Sequence, residues 1–190
     1  DSGNGFRGLH PSEAGTAVVW PCPLALASTW DEELVEQQAI AIGREFRGKD
    51  ANVILGPAVN VHRVARAGRN FELLSGEDPY LGAKLTRAYV QGVQSQGVLV
   101  VVKHFAFNEQ ETNRASESSA VDDQTAWELY YPPFEAAVAA GAGSFMCSYN
   151  KVNGTPACSN SNLLVRDLRR KMGFRGFVMS DWGAAHSMAL

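Results

Sequence analysis

Four apolar runs in this sequence end abruptly in side chains that can do chemistry. "GFVMS" gives way to Asp181 and Trp182, "VLVVV" to Lys103 and His104, and "SFMCSY" closes on Tyr149. The fourth run, "NVILGPAVNV", is followed by "HRVARAGRNFELLSGEDPY", which carries Arg63, Arg66, Arg69, Glu72, Glu77 and Asp78. Cations, an imidazole, a phenol, a carboxylate and an indole together suit a neutral polyhydroxylated ligand. Lys, Arg and His donate to hydroxyls, while an aromatic face packs on the apolar side of a sugar ring. Each residue taken alone has a plainer reading. Asp181 suits a helix cap, Lys103 an ion pair with Glu109 or Glu111, and Arg69 with Glu72 a pair that holds a loop. The case for a site rests on four strand exits agreeing. His62, His104 and His186 are not at metal-ligand spacing and the cysteines form no C-x-x-C, so no metal is expected. No nucleophile elbow appears, and no glycine-rich phosphate loop follows a strand, so no cofactor is expected either.

The elements that must carry these exits alternate. Thr29 to Lys49 reads as a helix with Thr29 and Glu32 as a capping box and Val35, Ala39, Ile42 and Phe46 on one face. A strand is expected over 52–61, a helix from Pro79 to Gln96 with Leu81, Leu85 and Ala88 inward, and a strand over 98–102. A polar loop over 108–122 leads to a helix over 123–141 that Pro132-Pro133 should bend or split. Strands over 144–149 and 176–180 flank a helix over 162–174, and "AVVWPCPLAL" (17–26) reads as an extra strand. Such alternation means parallel strands with helices outside. A closed barrel of eight units takes about 250 residues, so the fold class expected is α/β, a partial TIM-like (β/α) barrel.

The bulk numbers narrow the partners. The chain has 190 residues, 45% hydrophobic, and a formal net charge of -3 that is not gathered into runs. Nucleic acid is therefore an unsuitable partner. The longest aliphatic run, 98–102, is far short of the roughly 18 residues a membrane helix needs. The sequence starts at Asp1 without methionine and stops just after a new element should begin, which reads as a segment of something longer. Three cysteines leave at least one unpaired within the chain. Cys147 and Cys158 bracket a turn at Asn153-Gly154, so either a local disulfide or two buried thiols fits. Asn153-Gly154-Thr155 also matches the short glycosylation pattern.

The motifs "DSGNGFRG", "GPAVNVHRVARAGRNFELLSGEDPYL", "KHFAFNEQETNR", "MCSYNKVNG" and "GFVMSDWGAAH", in that order, resemble the N-terminal domain of glycoside hydrolase family 3, in its β-glucosidase branch. The resemblance runs through nearly all of residues 1–190. It implies a barrel-like first domain, a second α/β sandwich domain outside this chain, and retaining, exo-acting hydrolysis of β-glycosides. Asp181 matches the family's nucleophile and Trp182 the aromatic wall beside it. Asp1, Arg7, Arg69, Lys103, His104 and Tyr149 match sugar-binding positions, with Tyr149 near the nucleophile. The opening motif has Gly3 where the family usually has Pro, which leaves the loop carrying Asp1 less rigid.

A retaining glycosidase needs an ionised carboxylate and a protonated carboxyl about 5 Å apart. The resemblance places the second in the missing C-terminal domain, so the 190 residues alone should hydrolyse glucosides poorly. The family also contains β-xylosidases and β-N-acetylglucosaminidases. The latter carry a "KHFPGHG" type of loop, unlike "KHFAFNEQE" here, and the "NEQE" leans to glucosidase. A β-xylosidase, and a sugar-binding or truncated remnant without turnover, are the alternatives. A secreted or periplasmic home fits the family.

Overall fold

The computed structural model describes residues 3–8 and 11–185. Asp1 and His186, singled out above, lie outside them. The strands are β1 (Val53–Ile54), β2 (Leu99–Phe105), β3 (Ser118–Ser119), β4 (Ser144–Cys147), β5 (Lys151–Val152), β6 (Thr155–Pro156) and β7 (Phe177–Ser180). The α-helices are α1 (Pro23–Ala27), α2 (Glu32–Gly48), α3 (Pro79–Gln94), α4 (Asp123–Thr125) and α5 (Pro132–Ala139). π-wound turns cover Ala126–Tyr130 and Asn162–Lys171. Four strands form one wholly parallel sheet in the order β1-β2-β4-β7. Helix α2 packs on α3 and α3 on α5. This is the open arc of parallel strands and outer helices that the alternating pattern demands.

Sequence chemistry accounts for most of the elements. Val35, Ala39, Ile42 and Phe46 of α2 are all buried, so its apolar stripe faces the core as its spacing requires. Against it, α3 brings Gly92 so close that a Cβ there would lie 2.8 Å from Ala39 Cβ and from Glu36 O. Only glycine allows that helix approach. Asp78 caps α3, accepting from Tyr80 and Leu81 amides at 2.8 and 3.2 Å, and Pro79 starts it. Pro132-Pro133 splits the expected 123–141 helix, with α5 beginning at Pro132. The core beneath β2 and β4 is aromatic: Phe105 meets Phe134, Phe145 and Tyr131 with centroids 5.1, 5.7 and 5.7 Å apart. Such pairs contribute about 0.5–1.5 kcal/mol each beyond area burial.

Four local expectations need correction. Residues 17–26 form no strand, because Pro21 and Pro23 cannot donate to a ladder; Trp20 N makes one bond, to Asn4 O at 2.9 Å, and Pro23 opens α1. The strand over 52–61 is regular only at Val53–Ile54, since Pro57 interrupts it; Ala58 then makes isolated bridges to Leu73 and Lys103. The capping box at Thr29 does not form. Thr29 Oγ1 donates back to Leu26 O at 2.7 Å, and Asp31 caps α2 instead, accepting from Leu34 N at 3.0 Å. Finally, β2 does not stop at Val102 but runs on through Lys103 and His104 to Phe105.

That last difference shapes the site. Val102 pairs with Phe145 and Phe105 with Cys147, so Lys103 and His104 together oppose Met146 alone. The bulge bends the strand and re-aims its side chains at the sheet's C-terminal edge. At the end of β4, Cys147 is disulfide-bonded to Cys158 across the β5–β6 hairpin, which settles the cysteine question in favour of the bridge. Asn153 and Gly154 at its tip have φ of 49° and 86°, both in the left-handed region that a tight hairpin turn demands. Asn153 does more there than turn the chain. Its Nδ2 donates to Val121 O at 2.8 Å and its Oδ1 accepts from Val121 N at 3.0 Å.

Candidate active site

Asp181 is the first residue past β7, and its amide bonds to Cys147 O at 3.0 Å, which carries the β4–β7 ladder one rung further. Its carboxylate accepts from Trp182 N at 2.8 Å, and its side chain is only 13% exposed. The bulge on β2 brings His104 Nε2 to 3.6 Å from Asp181 Oδ2. This is not an ion pair. Burial, and then the charges of Lys103, Arg69 and Arg114, hold the imidazole pKa well below its usual value, so it stays neutral. From the neighbouring strand exit, Tyr149 Oη donates to Trp182 O at 2.6 Å. Burial and then the Asp181 charge push that phenol's pKa up.

A chain of alternating charges surrounds this pair. Lys103, 3% exposed, has its Nζ 3.4 Å from Glu72 Oε2. The other oxygen of Glu72 accepts from Arg69 Nε at 2.5 Å. Arg69 Nη1 lies 3.9 Å from Glu111 Oε1, and Arg114 Nη1 is 2.6 Å from Glu111 Oε2. The Arg114 guanidinium also sits 4.3 Å from the Tyr149 ring centroid. Burial works against the charge on Glu72, but Lys103 and Arg69 outweigh it and draw its pKa below the usual range. Burial likewise lowers Lys103, opposed by Glu72 and Asp181. For Arg69, burial is outweighed by its bond to Glu72 and by the charges of Glu72, Glu111 and Asp181, which raise its pKa. Glu72 is therefore ionised with both oxygens engaged, which unfits it to donate a proton. The plain pairing of Arg69 with Glu72 is real, and it sits inside the site rather than instead of it.

Most of these groups, though not Glu72 or Glu111, line one cavity of about 700 Å³. Arg7, Arg69, Lys103, His104, Tyr149, Asp181 and Trp182 all face it, so every described residue assigned to the site from the sequence is brought together. The indole of Trp182 is 65% exposed and offers an aromatic face at its mouth. Sequence reasoning missed Arg114, which also lines it, and the linking roles of Glu72 and Glu111. The ion pair offered as the plainer reading of Lys103 has a different partner. Glu72, from a 3-10 turn after β1, lies 3.4 Å from its Nζ in the place offered to Glu109 or Glu111. Among the described residues no group of three or more His, Cys, Asp or Glu could hold a metal ion. What the arrangement can do is hold a polyol by donors on one side and an aromatic face on another, with a carboxylate poised between them.

Residues 7–189 match the profile described as "Glycosyl hydrolase family 3 N terminal domain". Among curated relatives, a beta-glucosidase of Rhizobium radiobacter is 48% identical over 191 residues, covering 100% of this chain and 23% of its own length. A probable beta-glucosidase M of Neosartorya fischeri is 46% identical, over 98% of this chain and 25% of its own. Solved structures agree. DesR, a beta-glucosidase from Streptomyces venezuelae in complex with D-glucose, superposes with a TM-score of 0.92 at 44% identity, covering 97% of this chain and 23% of that one. Beta-glucosidase 3B from Thermotoga neapolitana in complex with glucose gives 0.90 at 42% identity, covering 96% and 26%. The chain thus spans about a quarter of the length of the relatives it matches.

Proposed function

Since the chain belongs to glycosyl hydrolase family 3, we propose that it carries the sugar-binding and nucleophilic half of a retaining, exo-acting β-glucosidase. Asp181 attacks the anomeric carbon and forms a covalent glycosyl ester. Trp182 packs on the ring, and Arg69, Lys103 and His104 donate to hydroxyls, with bonds that tighten as the ring flattens toward its oxocarbenium-like transition state. Arg7 and Asp1 hold the distal hydroxyls. The carboxyl that protonates the leaving group comes from a second domain of the longer protein, as the family resemblance implies; the engagement of Glu72 and Glu111 by cations is consistent with that. The Cys147–Cys158 bridge fits an oxidising compartment.

The observation that carries this reading is Asp181, just past the end of β7, in the same cavity as four cations and a neutral imidazole. Glucose in the related structures supports a glucosyl unit as the occupant. In the complete gene product, Asp181→Asn lowers kcat on an aryl β-glucoside by at least about 10³-fold. Proton NMR of the wild-type reaction shows β-glucose released first. Release of α-glucose, or an Asp181→Asn variant with near wild-type turnover, contradicts the proposal.

A further inference from the structure

The His104 backbone has no ordinary strand neighbour on the β1 side. Up to Lys103 the two segments are laced by backbone bonds, Lys103 N to Pro57 O at 3.0 Å and Val59 N to Lys103 O at 2.9 Å. At the next rung a side chain takes over. Asn60 Oδ1 accepts from His104 N at 2.8 Å, and Asn60 Nδ2 donates to His104 O at 3.1 Å. The carboxamide thereby imitates a peptide group at the bulge, where the backbone of β2 bends. The second hydrogen of Asn60 Nδ2 goes to Glu109 Oε1 at 3.1 Å. Ionised, or protonated on Oε2, Glu109 keeps Oε1 as an acceptor for the Asn60 Nδ2 hydrogen, so it fixes which end of the carboxamide faces it, and hence which end meets the His104 amide.

Asn60 and Glu109 are 1% and 4% exposed, and neither lines the 700 Å³ cavity. Glu109 Oε2 makes no hydrogen bond among the described residues. Burial pushes this carboxyl up to about 7, with the Asn60 bond and Arg63 acting against the rise and Glu117 with it. A polar group is held in so costly a place only where its bond does something.

We propose that Asn60 and Glu109 are positioning residues: Asn60 clamps the His104 backbone, Glu109 locks the clamp, and together they aim the imidazole at the sugar beside Asp181. The inference rests on the glucosidase reading of the cavity. Neither residue touches the substrate, and both act through His104.

The test is a set of double-mutant cycles in the complete gene product, read by kcat and KM on an aryl β-glucoside, glucose affinity by calorimetry, and thermal midpoint. Asn60→Ala lowers kcat/KM about tenfold or more and weakens glucose binding, because two buried bonds to His104 are lost and sub-ångström aim is lost with them. In a His104→Ala background the same substitution costs less than twofold. Glu109→Ala adds nothing to Asn60→Ala, and Glu109→Gln, which keeps an acceptor for Asn60, loses less than Glu109→Ala. Additive losses in the His104→Ala background, or equal losses for the two Glu109 variants, overturn the proposal. Should Asn60→Ala fail to fold, the Glu109 pair in both backgrounds decides alone. A wild type that binds glucose without cleaving the glucoside refutes the glucosidase reading, and the clamp is then judged on glucose affinity in the same cycles. A wild type that does neither overturns both.

Discussion

Replacing Glu72 by alanine removes the centre of the charge chain. Lys103, buried with its Nζ 3.4 Å from Glu72, loses that ion pair, and Arg69 loses its shortest bond. Truncating one partner of a buried pair costs about 3–5 kcal/mol. An independent bound comes from proton release. Discharging a lysine of ordinary pKa at pH 7 costs about 4.6 kcal/mol, and no weakened ion pair of Lys103 need cost more. Asp181 still supports Lys103, and Arg69 is partly solvated and still near Glu111, so about 3 kcal/mol is expected. The assay is urea unfolding of wild type and Glu72→Ala, in the complete gene product, across pH. The sign follows from the shifts. Lys103 has a lowered folded pKa that falls further in the variant, so the variant is penalised only while the unfolded lysine holds a proton that the fold resists. The gap therefore narrows as pH rises from 7 toward about 10.4. Glu72 has a lowered folded pKa, so its contribution is present above its unfolded value and is lost as pH falls through the folded one. The gap closes on that side also. A difference below about 1 kcal/mol at pH 7, or one that does not change between pH 7 and 10, refutes this account of the site's electrostatics.

Two further outcomes follow from the same geometry. Reducing the Cys147–Cys158 bridge opens a loop of sequence separation 11 and lowers stability by about 3 kcal/mol, read as a drop in thermal midpoint on adding reductant; an unchanged midpoint counts against the bridge. His104 stays neutral in the fold while its unfolded form protonates below about 6.5, so stability falls as pH drops through that value. His104→Gln flattens the stability profile between pH 6.5 and 5, and a profile as steep as wild type contradicts the buried neutral imidazole.

Much of this site was legible because functional side chains sit where apolar runs stop, a local signal. Asp181, Trp182 and Tyr149 needed only that rule. Lys103 and His104 line the cavity, but they lie within the strand rather than beyond it. Charged residues after a valine run look like an exit, and what lets Lys103 stay inside is Glu72, 31 positions earlier and invisible to any window along the chain. Arg114 was lost for a similar reason. It lies in a polar stretch with no regular structure, and only the fold brings it over Tyr149. Asn60 left a trace that went unread: a polar residue in the otherwise apolar stretch after Asn52, at the point where a side chain replaces a strand. The disulfide stayed open because cysteine spacing permits a bridge without requiring one.

The central claim is that Asp181 is the nucleophile. It is tested most directly by exposing the complete gene product to an activated 2-deoxy-2-fluoro-β-glucoside, whose good leaving group removes the need for the acid, and mapping the stalled sugar by mass spectrometry. The account predicts one fluoroglucosyl unit on the peptide that contains Asp181, absent in Asp181→Asn. Cleavage of β-glucosides with no label, or a label on a different carboxylate, contradicts it.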